Sequence, residues 1–170
     1  MLKSSLFATI FIAYFLVYLP WIWAIQGRAV SYEGLDSLRW LAVVPLAVGG
    51  YIVLRCIFSF AWTGLGTPAP FDPPRTLVIT GFYRYVRNPM YLGAALFIIG
   101  ETALFGSIRN GLLYVALFMS CLAVFVLLYE EPALRSKFGV GYEEYCRNVP
   151  RFLPRLRPWE KPPLSSASQS

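Results

Sequence analysis

Apolar residues in this chain run in long blocks, and the gaps between charges are the size of a membrane. Between Lys3 and Arg28 lie 24 residues without a charge, enough for a helix to cross a hydrocarbon core of about 30 Å. The apolar part is longer than a signal-peptide core. It runs into Pro20-Trp21-Ile22-Trp23 rather than a small-residue cleavage site. Residues 6–25 therefore read as a retained membrane helix. A second span is predicted over residues 40–60, with Trp40 and Trp62 as interface aromatics. Arg55 lies inside it, near enough to the end to snorkel to the headgroups. A third span is predicted over 89–107 and a fourth over the uncharged stretch 110–129.

Composition supports this reading. Apolar residues make up 57% and charged residues 14%, against a usual ~45–50% and ~25%. Mean hydropathy is +0.55. So little polar surface cannot coat a soluble globule, and an aromatic content of 17% excludes general disorder. The chain has no histidine, and its three cysteines, at 56, 121 and 146, form no metal, redox or disulfide spacing. No metal site is expected, and the absence of a C-x-x-C pair excludes a thiol-oxidising four-span enzyme. The net charge is +6. With the N-terminus inside, twelve of the fifteen basic residues fall on cytoplasmic segments, leaving Arg28, Arg39 and Arg109 outside. This bias places both termini in the cytoplasm. The basic residues report topology, and no nucleic-acid partner is expected.

The expected fold is all-α: a polytopic integral membrane protein of about four transmembrane helices plus a C-terminal cytoplasmic amphipathic helix. That helix is predicted over 132–148, where Leu134, Phe138, Tyr142, Tyr145 and Val149 recur at helical spacing. Its apolar stripe suits a membrane surface, and equally a cap packed on the span ends. Residues 1–154 are read as a single membrane domain and 155–170, rich in Pro, Arg and Ser, as a flexible tail.

Four features carry candidate chemistry. Asn88-Pro89 is a strong helix start by itself. Tyr83, Arg84, Tyr85 and Arg87 crowd before it, at the positive end of a helix dipole, where an anion is favoured. Headgroup anchoring is the competing explanation. Glu130-Glu131-Pro132 places two carboxylates at the expected C-terminus of the fourth span, where the dipole is already negative. Something positive should offset them: an Arg from the neighbouring loop, or a sulfonium or ammonium ligand. The competing explanation is that Glu131 begins the next helix with Pro132 at its first position, which accounts for one Glu more easily than for two. Glu101 is an intramembrane carboxylate, hence a functional hypothesis by default, although pairing with Arg109 is the preferred explanation. Gly64-Leu65-Gly66 is a weak phosphate signal. Together these features suggest a polar pocket at the cytoplasmic boundary that suits a zwitterion.

The run Gly81-Phe82-Tyr83-Arg84-Tyr85-Val86-Arg87-Asn88-Pro89-Met90-Tyr91-Leu92-Gly93 resembles the core motif of the integral-membrane methyltransferases. These include isoprenylcysteine carboxyl methyltransferase and phosphatidylethanolamine N-methyltransferase. A second block also resembles theirs: Leu128-Tyr129-Glu130-Glu131-Pro132-Ala133-Leu134, then Phe138-Gly139, Tyr142, Tyr145 and Val149-Pro150-Arg151. The likeness covers about residues 61–154, with one helical hairpin between the blocks. It implies S-adenosylmethionine as methyl donor, S-adenosylhomocysteine as product, and a lipidic or prenylated substrate entering from the bilayer among membrane lipids. By the same resemblance, Tyr83, Arg87, Asn88, Pro89, Tyr91, Glu130 and Glu131 would line the donor site, with Arg87, Glu130 and Glu131 catalytic. Two departures leave the acceptor open, because the Phe138-Gly139, Tyr142 and Tyr145 block resembles the isoprenylcysteine side. Many isoprenylcysteine-type relatives have His where this chain has Asn88. The eukaryotic carboxyl methyltransferases tend to carry Arg where this chain has Leu127, Leu128 and Tyr129.

Methyl transfer asks the protein mainly for positioning and electrostatics. A carboxylate acceptor needs no base but does need a cation, for which Arg87 or Arg151 would serve. An amine acceptor must first lose a proton, to Glu130 or Glu131. The rival class is a small four-span proton-coupled transporter using Glu101.

Overall fold

A computed structural model describes residues 40–59, 76–105 and 108–160, together with Tyr18 and Ile22. The expected span 6–25 and the Gly64-Leu65-Gly66 loop fall outside the described residues. Among the described residues every regular element is helical. A short 3-10 turn, Trp40–Ala42, leads into α1 (Val43–Ser59). Then come a 3-10 turn at Gly81–Arg84, α2 (Pro89–Phe105) and α3 (Ile108–Phe125). A π-turn, Val126–Glu130, carries α3 into α4 (Glu131–Phe138), and α5 (Val140–Asn148) follows. Two helical stretches are long and apolar enough to cross a membrane: Trp40–Ser59, of 20 residues, and Arg109–Phe138, of 30. Pro89–Leu104 is apolar but shorter.

The helices pack through glycine. A Cβ on Gly49 would stand 2.5 Å from the Gly93 carbonyl of α2, and one on Gly100 would stand 2.7 Å from the Leu46 Cα. A Cβ on Gly111 would stand 2.6 Å from the Thr102 Cβ, which closes α3 against α2 near their hairpin. Small residues allow this approach where helices lack a hydrophobic drive to associate. Gly100→Ala is therefore expected to cost about 1–3 kcal/mol, because the Leu46 backbone cannot yield. Gly141→Ala, with nothing within 4 Å of its Cβ, is expected to stabilise by about 0.4–1 kcal/mol. Unfolding of the two variants in mixed micelles measures both, and equal shifts would refute the packing argument.

Two apolar clusters are divided by the alternation of one extended segment. Val78 joins Cys56 of α1 and Tyr83. Leu77 and Ile79 face the other way, onto Tyr142, Tyr145, Val149 and Trp159. The stripe expected over 132–148 is thus turned inward, as a packed cap. The single helix predicted there is two helices, because Gly139 (φ +51°) breaks it in a conformation that glycine adopts readily. Within the segment read as a flexible tail from residue 155, the described residues reach Glu160: Trp159 is buried, and the Arg155 and Trp159 amides are hydrogen-bonded to the loop before α2.

Candidate functional site

Helix geometry brings the two motif blocks together. α2 begins at Pro89, directly after Asn88, and the Leu92 amide reaches the Asn88 carbonyl at 3.4 Å. The Asn88 side chain is buried, and its Nδ2 donates to the Arg151 carbonyl at 3.1 Å. It thus ties the start of α2 to the segment after α5.

The Glu pair does not end a helix, contrary to expectation. Pro132 has no N–H to give, so the α-helical ladder is already interrupted there. The Glu131 amide instead reaches back to the Val126 carbonyl across the π-turn, and the chain stays helical into α4. The two carboxylates have separate environments. Glu131 is buried and accepts a two-pronged contact from Arg151, Nε to Oε1 at 2.7 Å and Nη2 to Oε2 at 2.9 Å. Arg87 Nη1 donates to the same Oε1 at 2.9 Å. Arg135 adds an ion pair at 3.9 Å. Hydrogen bonding to Glu131 raises the Arg151 pKa further. The loop Arg expected to offset the pair is therefore Arg87, joined by Arg151.

Glu130 points elsewhere. Its Oε2 accepts a hydrogen bond from the Tyr91 hydroxyl at 2.9 Å, and no ion pair to it is formed among the described residues. Of two adjacent acids, one is paired with arginines, and the other meets the Tyr91 hydroxyl rather than a cation among the described residues.

Tyr83 lies to one side. Its ring packs with Cys56 and Val78, burial pushes its hydroxyl pKa up, and its carbonyl accepts from the Tyr145 hydroxyl at 2.7 Å. Burial likewise raises the Tyr145 pKa. Glu101 is buried in α2, and its Oε2 has no hydrogen-bond partner among the described residues. The expected pair with Arg109 is not formed among the described residues: Arg109 is exposed, whereas Glu101 faces the helix packing.

Sequence reasoning missed two participants. Cys146 Sγ accepts from Arg87 Nη1 at 2.9 Å. Trp159 packs against Tyr145 with ring centroids 5.9 Å apart and planes tilted by 40°. Cys146 follows Tyr145 on the helical stripe, which hints at its place. The only hint for Trp159 is an aromatic residue in an otherwise polar tail.

A profile of the phospholipid methyltransferase family matches residues 38–140 of the 170. A Schizosaccharomyces pombe protein-S-isoprenylcysteine O-methyltransferase is 35% identical over 80 residues, covering 47% of this chain and 34% of the relative. A Delta(14)-sterol reductase of Gallus gallus is 24% identical over 148 residues, 79% of this chain and 23% of the relative. Another, of Mus musculus, is 25% identical over 152 residues, 82% of this chain and 36% of the relative. The chain thus spans about a third or less of the length of these curated relatives. No solved structure matches the chain.

Proposed function

The chain belongs to the phospholipid methyltransferase family, and from that premise we propose that it transfers a methyl group from S-adenosylmethionine to a lipidic amine at the cytoplasmic membrane boundary. Under this reading residues 1–154 form one membrane domain with spans near 6–25, 40–60, 89–107 and 110–129, and both termini are cytoplasmic. The observation that carries the proposal is Glu130, which among the described residues bonds the Tyr91 hydroxyl and no cation. A carboxylate held at a membrane boundary without a cation suits a positively charged ligand group. The donor, when bound, supplies an activated methyl on a sulfonium.

The roles of the chain's own residues follow. Glu130 faces the sulfonium or the acceptor nitrogen, and Tyr91 fixes the direction of its carboxylate. Arg87, Asn88 and Pro89, with Tyr83 beneath, shape the wall at the start of α2. Glu131 holds Arg87 in place. An amine acceptor must shed a proton before or during attack, and Glu130 is the available base. A carboxylate acceptor would need a free cation, yet Arg87 and Arg151 are both spent on Glu131. That favours the amine over an isoprenylcysteine-type carboxylate. The family assignment leaves the transporter alternative without support.

The test is calorimetric titration of the full chain in lipid nanodiscs with S-adenosylhomocysteine, which cannot react further. Saturable binding near one per chain is expected. A methyl-transfer assay should then favour phosphatidylethanolamine vesicles over a prenylated cysteine. Absence of binding would overturn the donor reading, and preference for the prenylated carboxylate would overturn the acceptor class.

A further inference from the structure

Backbone outside regular helix must find partners one group at a time. The loop at 84–88, which presents Arg87 and Asn88, finds them in residues 150–159. The Arg87 amide donates to the Pro150 carbonyl at 2.9 Å. The Arg155 amide donates to the Tyr85 carbonyl at 3.0 Å, and the Trp159 amide to the Arg84 carbonyl at 2.9 Å. Arg84 Nε returns a bond to the Trp159 carbonyl at 3.0 Å. The C-terminal segment thus lies along the loop as a strap.

Part of the strap is on the surface: Leu153 and Leu156 are exposed, and so is Glu160, which pairs with Arg84. Two side chains turn inward, Arg151 to the buried Glu131 and Trp159 into an apolar cluster. Trp159 is 8% exposed and packs in the cluster of Tyr142, Tyr145 and Val149. Beneath it, Tyr145 hydrogen-bonds the Tyr83 carbonyl. A continuous set of contacts therefore runs from Trp159 through Tyr145 and Tyr83 to the loop that ends at Arg87 and Asn88. Trp159 lies beyond the family match, which ends at residue 140.

We infer that Trp159 is a positioning residue for the donor loop and that residues 150–159 are the strap through which it acts. This rests on the donor reading above. The strap is pinned at its start by the Arg151–Glu131 contact and at its far end by Trp159. Removing Trp159 releases the far end, because the Arg155–Tyr85 and Trp159–Arg84 backbone bonds alone compete poorly with water. The loop then loses the geometry that aims Arg87 and Asn88, while the helix packing is untouched.

The experiment compares the full-length parent, Trp159→Ala, Trp159→Phe and Glu160→Gln in nanodiscs. Trp159→Ala is expected to weaken S-adenosylhomocysteine binding by roughly tenfold, the scale of one lost aromatic packing interaction. Its donor KM should rise while kcat is kept. Trp159→Phe should restore most of the affinity, and Glu160→Gln should match the parent. Amide exchange should quicken at Arg87 and Arg155 and stay unchanged in α1 and α2. Parental affinity in Trp159→Ala would overturn the inference. If the parent itself fails to bind, the donor reading fails, and exchange at the Arg87 amide decides the strap: faster in Trp159→Ala upholds it, and unchanged overturns it.

Discussion

Replacing Glu131 with leucine is expected to lower the unfolding free energy by about 3–5 kcal/mol, the usual cost of removing one partner of a buried ion pair. The Glu131 side chain is 6% exposed, and that of Arg87 is 11% exposed. Without the carboxylate, Arg87 keeps a buried charge, and its Nε already lacks a hydrogen-bond partner. Arg151, at 32% exposure, can turn to water and adds less. Most of the penalty is therefore Arg87 left alone rather than the worth of the pair. A double variant, Arg87→Met with Glu131→Leu, should recover a large part of it, since two apolar groups replace a buried pair at little net cost. Denaturant or thermal unfolding in mixed micelles gives both values. A Glu131→Leu protein as stable as the parent would show that the arginines are hydrated and that the cluster does not hold the site.

Glu130→Gln is expected to show the opposite pattern. Glutamine keeps a carbonyl oxygen for the Tyr91 hydroxyl, now 2.9 Å from Oε2, so stability should change by less than about 1 kcal/mol. What disappears is the negative charge. If that charge faces a cationic ligand group, the loss is that of a charge-assisted contact, about 1.5–3 kcal/mol, or roughly 10- to 100-fold in affinity. Titration with S-adenosylmethionine, which carries the sulfonium, should show this drop. The neutral thioether product should show a smaller one. Glu101→Gln, a change about two turns further along α2 than the motif, should leave both affinities as they were. Equal losses for Glu101→Gln and Glu130→Gln would end the assignment of the site to the Glu130 end of the helices.

The two acids illustrate what a linear reading can and cannot resolve. Side by side, they read as a single feature in need of a cation, and that need was legible because like charges at a membrane boundary require an explanation. Their division of labour was not legible. Adjacent residues on a helix point about 100° apart, and the π-turn at Val126–Glu130 sets where each one points. The span end expected at residue 129 rested on where the uncharged stretch stops. It failed because a π-turn absorbs the missing N–H without ending the helix. Glu101 shows the same limit. Its burial followed from its place in an apolar run, but whether Arg109 could reach it depended on which face of α3 Arg109 occupies.

The sequence by itself determined what is periodic or compositional. Long uncharged runs imply apolar helices, and two motif blocks separated by a hairpin imply the family. Both follow from local chemistry that needs no partner. Tertiary structure alone decided which charges neutralise each other, that the stripe of residues 134–149 is turned inward, and that the tail is tied down as far as Glu160. Those outcomes depend on contacts between residues 44 to 75 positions apart, such as Arg87 with Glu131 and Arg84 with Trp159. No local pattern encodes such contacts, because the energy that selects them exists only once the helices have closed on one another.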